Sequence, residues 1–240
     1  MQTLLTTHSA GAQQHTAAGS PMLRKLLRFN PQFNLHRTGS PDRGDIEHYI
    51  REVFAQAYGA EVAGFAPFLI SMRCAGNISA AAGIRPAGSA PLFLEQYLDN
   101  PIEQVLSSRY GKTIGRHEIF ELANLAALRP GVSQLIYLIT AGVMARTGLD
   151  YVVFAGTKQV AKGVSKLGFC VESIVAADPA RLGAAAESWG SYYENKPHVM
   201  VLDLRKSMDV LTALPLPGIL MNMYESQIAE LANHFNSVHG

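Results

Sequence analysis

Apolar positions recur along this chain in two rhythms. Ile46, Ile50, Val53, Phe54 and Ala57 return at three- and four-residue intervals, which makes one face of a helix apolar; Asp45 is its predicted N-cap and Gly59 its end. Residues 33–37, 65–72 and 78–84 instead read as extended, and Cys74-Ala75-Gly76-Asn77 supplies the turn that makes the last two a hairpin. Residues 92–98 and 102–107 are short helical pieces. Residues 118–128 form the strongest strand signal of the middle third, stopped by Arg129-Pro130-Gly131, and an apolar helix follows over 132–146, closed by Gly148. A strand at 151–155, a helix at 158–166, a turn at Leu167-Gly168-Phe169 and strands at 170–175 and 199–204 complete the second half. Ile228, Leu231, Ala232 and Phe235 then mark an amphipathic helix expected to pack on the domain.

This alternation predicts an α/β domain with a mixed central sheet flanked by helices. The 118–128 and 151–155 strands should be parallel neighbours joined by the 132–146 helix and splayed at their C-terminal ends, and the hairpin adds antiparallel pairing. Residues 1–21 are polar and aperiodic, which predicts a disordered arm. The domain is expected over 22–205 and a helical extension over 206–240.

Composition narrows the function. Lys and Arg number 20 against 19 Asp and Glu, so nucleic acid, which needs a concentrated basic surface, is not an expected partner. Arg24, Lys25 and Arg28 read as a solvated arm. No stretch reaches the roughly 18 apolar residues that span a bilayer, and the first twenty lack a signal-peptide core, so a cytoplasmic location is expected. Cys74 and Cys170 make no metal pattern and read as reduced thiols; the eight histidines show no ligand spacing, and no metal is expected. Gly111-Lys112-Thr113 imitates the end of a phosphate-binding loop, but Leu106 stands where its first glycine belongs. Gly131-Val132-Ser133-Gln134-Leu135 imitates a hydrolase nucleophile elbow, but Leu135 replaces the second glycine.

The region from Arg116 to Phe169 carries the chemistry. A strand bearing Glu118 and Glu121 runs into a tight turn and then a helix N-terminus at Val132 and Ser133, where unpaired N–H groups favour anions. Glu121 shares a strand face with Ile119 and Ala123, and a carboxylate among apolar neighbours has a raised pKa suited to a general base. Asn124 follows three residues later and can orient a substrate group. A buried ion pair between Glu121 and Arg85 is the competing structural reading.

Two blocks make the resemblance specific. Residues 93–103, FLEQYLDNPIE, and residues 118–126, EIFELANLA, resemble the corresponding blocks of the thermostable hemolysin family. Shorter matches at Gly83-Ile84-Arg85, at residues 177–182 and at Trp189-Gly190-Ser191-Tyr192-Tyr193 extend it over about residues 46–199. That family is in turn similar to acyl-homoserine-lactone synthases and to the N-acyltransferases of the GNAT plan, and Lys166-Leu167-Gly168-Phe169 fits a frequent GNAT signature. The resemblance implies a GNAT-like fold and acyl transfer from a thioester to a small amine. The donor is then acyl-CoA or the phosphopantetheine of an acyl carrier protein, held by Leu128, Arg129, Gly131, Val132 and Ser133. Arg85, Glu95, Tyr97 and Asn124 are the expected substrate-binding residues and Glu121 the catalytic one. The partners implied are the amine, an acyl carrier protein and a second copy of the chain in a homodimer, with no membrane contact.

Two departures shift the expected donor toward a carrier protein. The turn holds Gly131 alone rather than a glycine run, and Val164 stands where GNAT enzymes often place a tyrosine acid. Two other classes stay open at this point: a membrane-active lytic protein, as the family name suggests, and a non-catalytic ligand-binding relative.

Overall fold

The computed structural model describes residues 30–127 and 132–239. The predicted arm at residues 1–21, the basic cluster Arg24, Lys25 and Arg28, and the turn residues Leu128, Arg129 and Gly131 lie outside the described residues. The strands are β1 (Gln32–Arg37), β2 (Phe68–Cys74), β3 (Asn77–Pro86), β4 (Ile119–Ala127), β5 (Tyr151–Gly156), β6 (Val171–Ala176) and β7 (His198–Asp203). The helices are α1 (Arg43–Tyr58), α2 (Ile102–Tyr110), α3 (Val132–Met144), α4 (Lys158–Ser165), α5 (Leu204–Ala213), α6 (Pro215–Met223) and α7 (Glu225–His239). Short 3-10 segments at Phe93–Tyr97, Arg116–Glu118, Pro179–Trp189 and Tyr192–Asn195 fill the connections, the third broken by a kink at Gly183.

The described strands form one sheet in the order β1-β2-β3-β4-β5-β7-β6. Every neighbouring pair is antiparallel except β4 and β5, which are parallel as the strand–helix–strand order predicts. That parallel pairing is short. Ile119, Phe120 and Glu121 face Tyr151, Val152 and Val153, after which β4 continues to Ala127 and β5 to Gly156 without pairing to each other.

A bulge at Asn124 accompanies the divergence. Ala81 faces Ala126 while Gly83 faces Ala123, so Ala82 alone opposes Asn124 and Leu125. Asn124 takes a φ of 49°, the left-handed region that asparagine tolerates better than most residues. An extra residue of this kind bends and twists its strand. The bulge is clamped from the side: Asn124 Oδ1 accepts from Ala66 N at 2.8 Å and its Nδ2 donates to the Gly64 carbonyl at 3.1 Å. Gly83 makes room for the clamp, because a Cβ there would stand 2.8 Å from Ala66 Cβ and 2.9 Å from Asn124 Oδ1.

Alternation along the strands divides the core in two. Ile70, Phe120, Val152, Phe154 and Leu202 point to one face of the sheet, where α3 lies with eleven of its 13 residues buried. An all-round apolar helix of this kind needs cover on every side. Ile228, Leu231, Ala232 and Phe235 of α7 supply part of it and belong to the same core. On the other face α1 covers Leu69, Ala81 and Ala126, and the 3-10 segments with α2 cover Ile119, Val153 and Val201.

Three expectations are corrected. The first helix begins at Arg43, not after Asp45: the Arg43 guanidinium is held by the carbonyls of His36, Ala66 and Pro67, and Asp42 precedes it as N-cap. Glu118 is not a strand residue; it closes the Arg116–Glu118 turn by accepting from Gly115 N at 2.7 Å. The helix expected over residues 92–98 is the 3-10 segment Phe93–Tyr97. Among the described residues no helix is long and apolar enough to cross a membrane, and both cysteines are free.

Candidate functional site

Where β4 and β5 part, a cavity of about 150 Å³ opens between them and reaches both faces of the sheet. One end is aromatic, built from Phe54 and Tyr58 of α1, Phe93, Trp189 and Tyr192. Their rings lie 5.2–5.6 Å apart centroid to centroid along the chain Phe93–Trp189–Tyr192–Tyr58, the spacing of edge-on and tilted aromatic pairs. The other end lies under α3 and is lined by Tyr137, Thr140, Ala141, Val164, Phe169 and Leu202. Between them run the two open strand edges, residues 120–125 of β4 and 154–156 of β5.

Glu121 sits at the last point where the two strands still pair, 3% exposed and on the cavity wall. Its two carboxylate oxygens accept from Phe93 N at 2.9 Å and Leu94 N at 3.0 Å, which caps the Phe93–Tyr97 segment. Arg85 faces it across the β3–β4 ladder, with Nε 3.7 Å from Oε2. Burial pushes the Glu121 carboxyl up; the two N–H donors and Arg85 oppose this without reversing it. Asn124 also lines the cavity, its side chain committed to the clamp on residues 64 and 66.

Other expected site residues lie elsewhere. Arg85, Glu95 and Tyr97 are not on the cavity wall. Glu95 is held by Leu92 N, Ile102 N and both terminal nitrogens of Arg116, which also binds Glu103. Burial favours the neutral acid at Glu95, but the Arg116 hydrogen bonds and the two N–H groups outweigh it and hold the carboxyl below the usual range. Tyr97 bonds Tyr193, hydroxyl to hydroxyl, and burial pushes its phenol far up. The Val132 side chain is in the core and Ser133 is half-buried at the start of α3, while Leu128, Arg129 and Gly131 lie outside the described residues.

The sequence reading missed the aromatic end. Phe54 carried a helix-periodicity signal, and Trp189 stood in a matching block without being assigned a site. Gly190 marks the place: at φ 51° a Cβ would come within 2.1 Å of the Tyr58 carbonyl, so the Trp189 turn presses directly on the end of α1. A second arrangement was also unforeseen. His36 Nε2 meets Ser71 Oγ at 2.8 Å and His36 Nδ1 meets Asp42 Oδ1 at 3.0 Å, the connectivity of a hydrolytic triad. Ser71 is wholly enclosed in a strand paired on both sides, so no substrate reaches it and no free N–H pair stands ready for an oxyanion. It is a buried tie between β1, β2 and the start of α1. Among the described residues no group of three or more His, Cys, Asp or Glu side chains is placed to hold a metal ion.

A mixed sheet opened at its one parallel pair is the architecture of a known structural class. The chain superposes on TofI with a TM-score of 0.54 at 15% identity, covering 78% of this chain and 99% of that one. It superposes on the AHL synthase LasI with a TM-score of 0.51 at 14% identity, covering 72% and 90%. FeeM, an N-acyl amino acid synthase from uncultured soil microbes, gives 0.51 at 16% identity over 76% and 96%. At these identities the likeness is one of fold, and the fold is GNAT-like. The family follows from sequence: the thermostable hemolysin model matches residues 36–208, well over half of the 240, and the chain belongs to that family. Curated protein sequences give no match.

Proposed function

We propose that this protein is an N-acyltransferase that moves an acyl group from a coenzyme A or acyl-carrier-protein thioester to a small amine. The observation that carries the reading is the slot itself. Beyond Glu121 and Val153 two strand edges in the middle of a sheet face a cavity instead of each other. Such edges leave backbone N–H and C=O groups in want of partners, and an extended, amide-bearing pantetheine arm offers them at strand spacing. The apolar end under α3 suits an acyl chain, and the aromatic end suits an acceptor. The solved structures of similar fold include proteins titled as acyl-homoserine-lactone and N-acyl amino acid synthases, which supports the same class.

The chemistry asked of the chain is positioning and one proton transfer. The amine nitrogen attacks the thioester carbonyl; a C–N bond forms, the C–S bond breaks and the thiolate leaves. Glu121 takes the amine proton, and that proton passes to the thiolate. A carboxyl raised by burial is better matched to this task near neutral pH than an ordinary one. The anionic end of the donor is assigned to residues Leu128, Arg129 and Gly131 and to the N-terminus of α3 at Val132 and Ser133, where a helix start favours phosphate.

One observation favours a second reading, in which the cavity binds a ligand without turning it over. Both Glu121 oxygens already accept backbone N–H groups, as a structural carboxylate would. The test is mass analysis of products from the purified protein with a panel of acyl thioesters and amines. An amide whose formation needs the thioester supports the transferase; donor binding with no product across the panel supports the second reading.

A further inference from the structure

The connection between β6 and β7 carries the outer wall of the aromatic end, and its middle is held there lightly. Its two 3-10 segments, Pro179–Trp189 and Tyr192–Asn195, contain no buried residue. Both flanks are tied down. Asp178 accepts from Ala180 N and Arg181 pairs with Asp99, while Tyr193 bonds Tyr97 and Ser191 N donates to the Tyr58 carbonyl at 2.9 Å. Between these anchors residues 183–190 read GAAAESWG, a run of small side chains. A backbone bond from Glu61 N to the Ser188 carbonyl, 2.6 Å, ties this run to the chain that follows α1. Gly183 and Gly190 bracket it with nearly the same backbone, φ 57° and ψ −135° against φ 51° and ψ −129°. That is the first central position of a type II′ turn, which glycine takes without steric cost.

Trp189 hangs from this run and shuts the aromatic end. Its ring centroid lies 5.6 Å from those of Phe93 and Tyr192 and 6.2 Å from that of Phe54, so it joins the ring of the Phe93–Tyr97 segment to the rings of α1 and of the connection itself. The side chain is half-buried and lines the cavity, which places it between the cavity and solvent. Segments with few buried apolar contacts open at low cost, and hinges are the few residues that absorb the backbone change.

We infer that residues 183–190 are a lid over the aromatic end of the cavity, hinged at Gly183 and Gly190, whose opening withdraws Trp189 and admits a ligand to that end. The inference holds for a transferase and for a binding protein alike. Opening breaks the Glu61–Ser188 bond and the ring contacts of Trp189; the anchors at Arg181 and Tyr193 stay. The closed position requires glycine at residue 190, where a Cβ would stand 2.1 Å from the Tyr58 carbonyl.

The test is amide hydrogen exchange of the full chain, without ligand, at urea concentrations below its unfolding transition. Local opening exposes little surface and is insensitive to urea, whereas global unfolding is not. The Glu61 amide is expected to exchange at a rate that urea leaves unchanged, while amides of β2 and β3 accelerate. Gly190→Ala is expected to speed Glu61 exchange about tenfold or more, the penalty of a Cβ at a positive φ. Its emission, which comes from Trp189 as the one tryptophan of the chain, should move to longer wavelength and be quenched more by acrylamide. Gly183→Ala, whose Cβ would meet nothing within 4 Å, should act in the same direction through its backbone alone. If neither variant folds, the urea dependence of the parent decides. Glu61 exchange that accelerates with urea in step with β2 and β3 overturns the lid. Faster Glu61 exchange in Gly190→Ala with Trp189 emission and quenching unchanged also overturns it, because the run would then leave Glu61 with Trp189 still seated.

Discussion

Replacing Glu121 with glutamine separates its two roles. The parent carboxylate offers an acceptor to Phe93 N and another to Leu94 N. Glutamine keeps one acceptor and turns an NH2 group toward the second N–H, so the start of the Phe93–Tyr97 segment loses a hydrogen bond and gains two opposed donors. Leaving a buried donor unpaired costs about 1–3 kcal/mol. Against this, the variant no longer buries a charge. The parent's folded-state carboxyl is raised, so its contribution is fully present below the unfolded pKa of about 4.3 and is lost as pH rises through the folded value. The stability deficit of Glu121→Gln is therefore expected to be largest near pH 4 and to narrow toward pH 8. Urea unfolding across that range measures it, and thiol release from an acyl thioester measures turnover on the same samples. Removing a general base is expected to lower turnover about a hundredfold to ten-thousandfold. A pH-independent deficit would refute the buried-carboxyl argument. Parent-like turnover in the folded variant would refute the base, leaving the cap and the Arg85 pair as the whole role of Glu121.

Three further outcomes follow from the same geometry. Gly83→Ala puts a Cβ against Ala66 and Asn124 and is expected to cost about 1–3 kcal/mol, read by urea unfolding, and to loosen the bulge that accompanies the splay. Arg116→Ala removes the partner of two carboxylates and should cost about 2 kcal/mol at pH 7, between the values for exposed and fully buried pairs. Because Glu95 is held below its unfolded pKa, that contribution is present above about pH 4 and lost as pH falls, so parent and variant should converge in acid unfolding. Ser71→Ala should leave any ester hydrolysis unchanged while lowering stability by about 1–2 kcal/mol through the unpaired His36 ring; loss of hydrolysis would make the enclosed triad functional.

Much of this layout is legible in the chain because its signals are local. The β2–β3 hairpin follows from the Cys74–Asn77 turn, and the β4–α3–β5 order carries the parallel pairing with it. Glu121 stands out by its apolar neighbours alone. What it bonds does not, since Phe93 and Leu94 lie 28 and 27 residues earlier in an irregular segment. Glu95 and Tyr97 were assigned to substrate through the block they share, yet Arg116 and Tyr193 occupy their polar atoms; those contacts are long-range and leave no periodic trace. The bulge at Asn124 is equally silent, because asparagine in the left-handed region looks like any polar strand residue. The aromatic end escaped notice because 3-10 segments have no long repeat, so Trp189 and Tyr192 meet Phe54 and Tyr58 without a shared rhythm.

The claim on which the rest depends is that the parted edges of β4 and β5 hold a thioester-bearing arm. Hydrogen exchange with and without a hydrolysis-resistant acyl-pantetheine analogue tests it most directly. With the analogue bound, slowed exchange is expected at amides within residues 122–127 and 154–156, while β1 and β2, at the far edge of the sheet, are unchanged. Saturation with the analogue and no protection along those two edges would contradict the account.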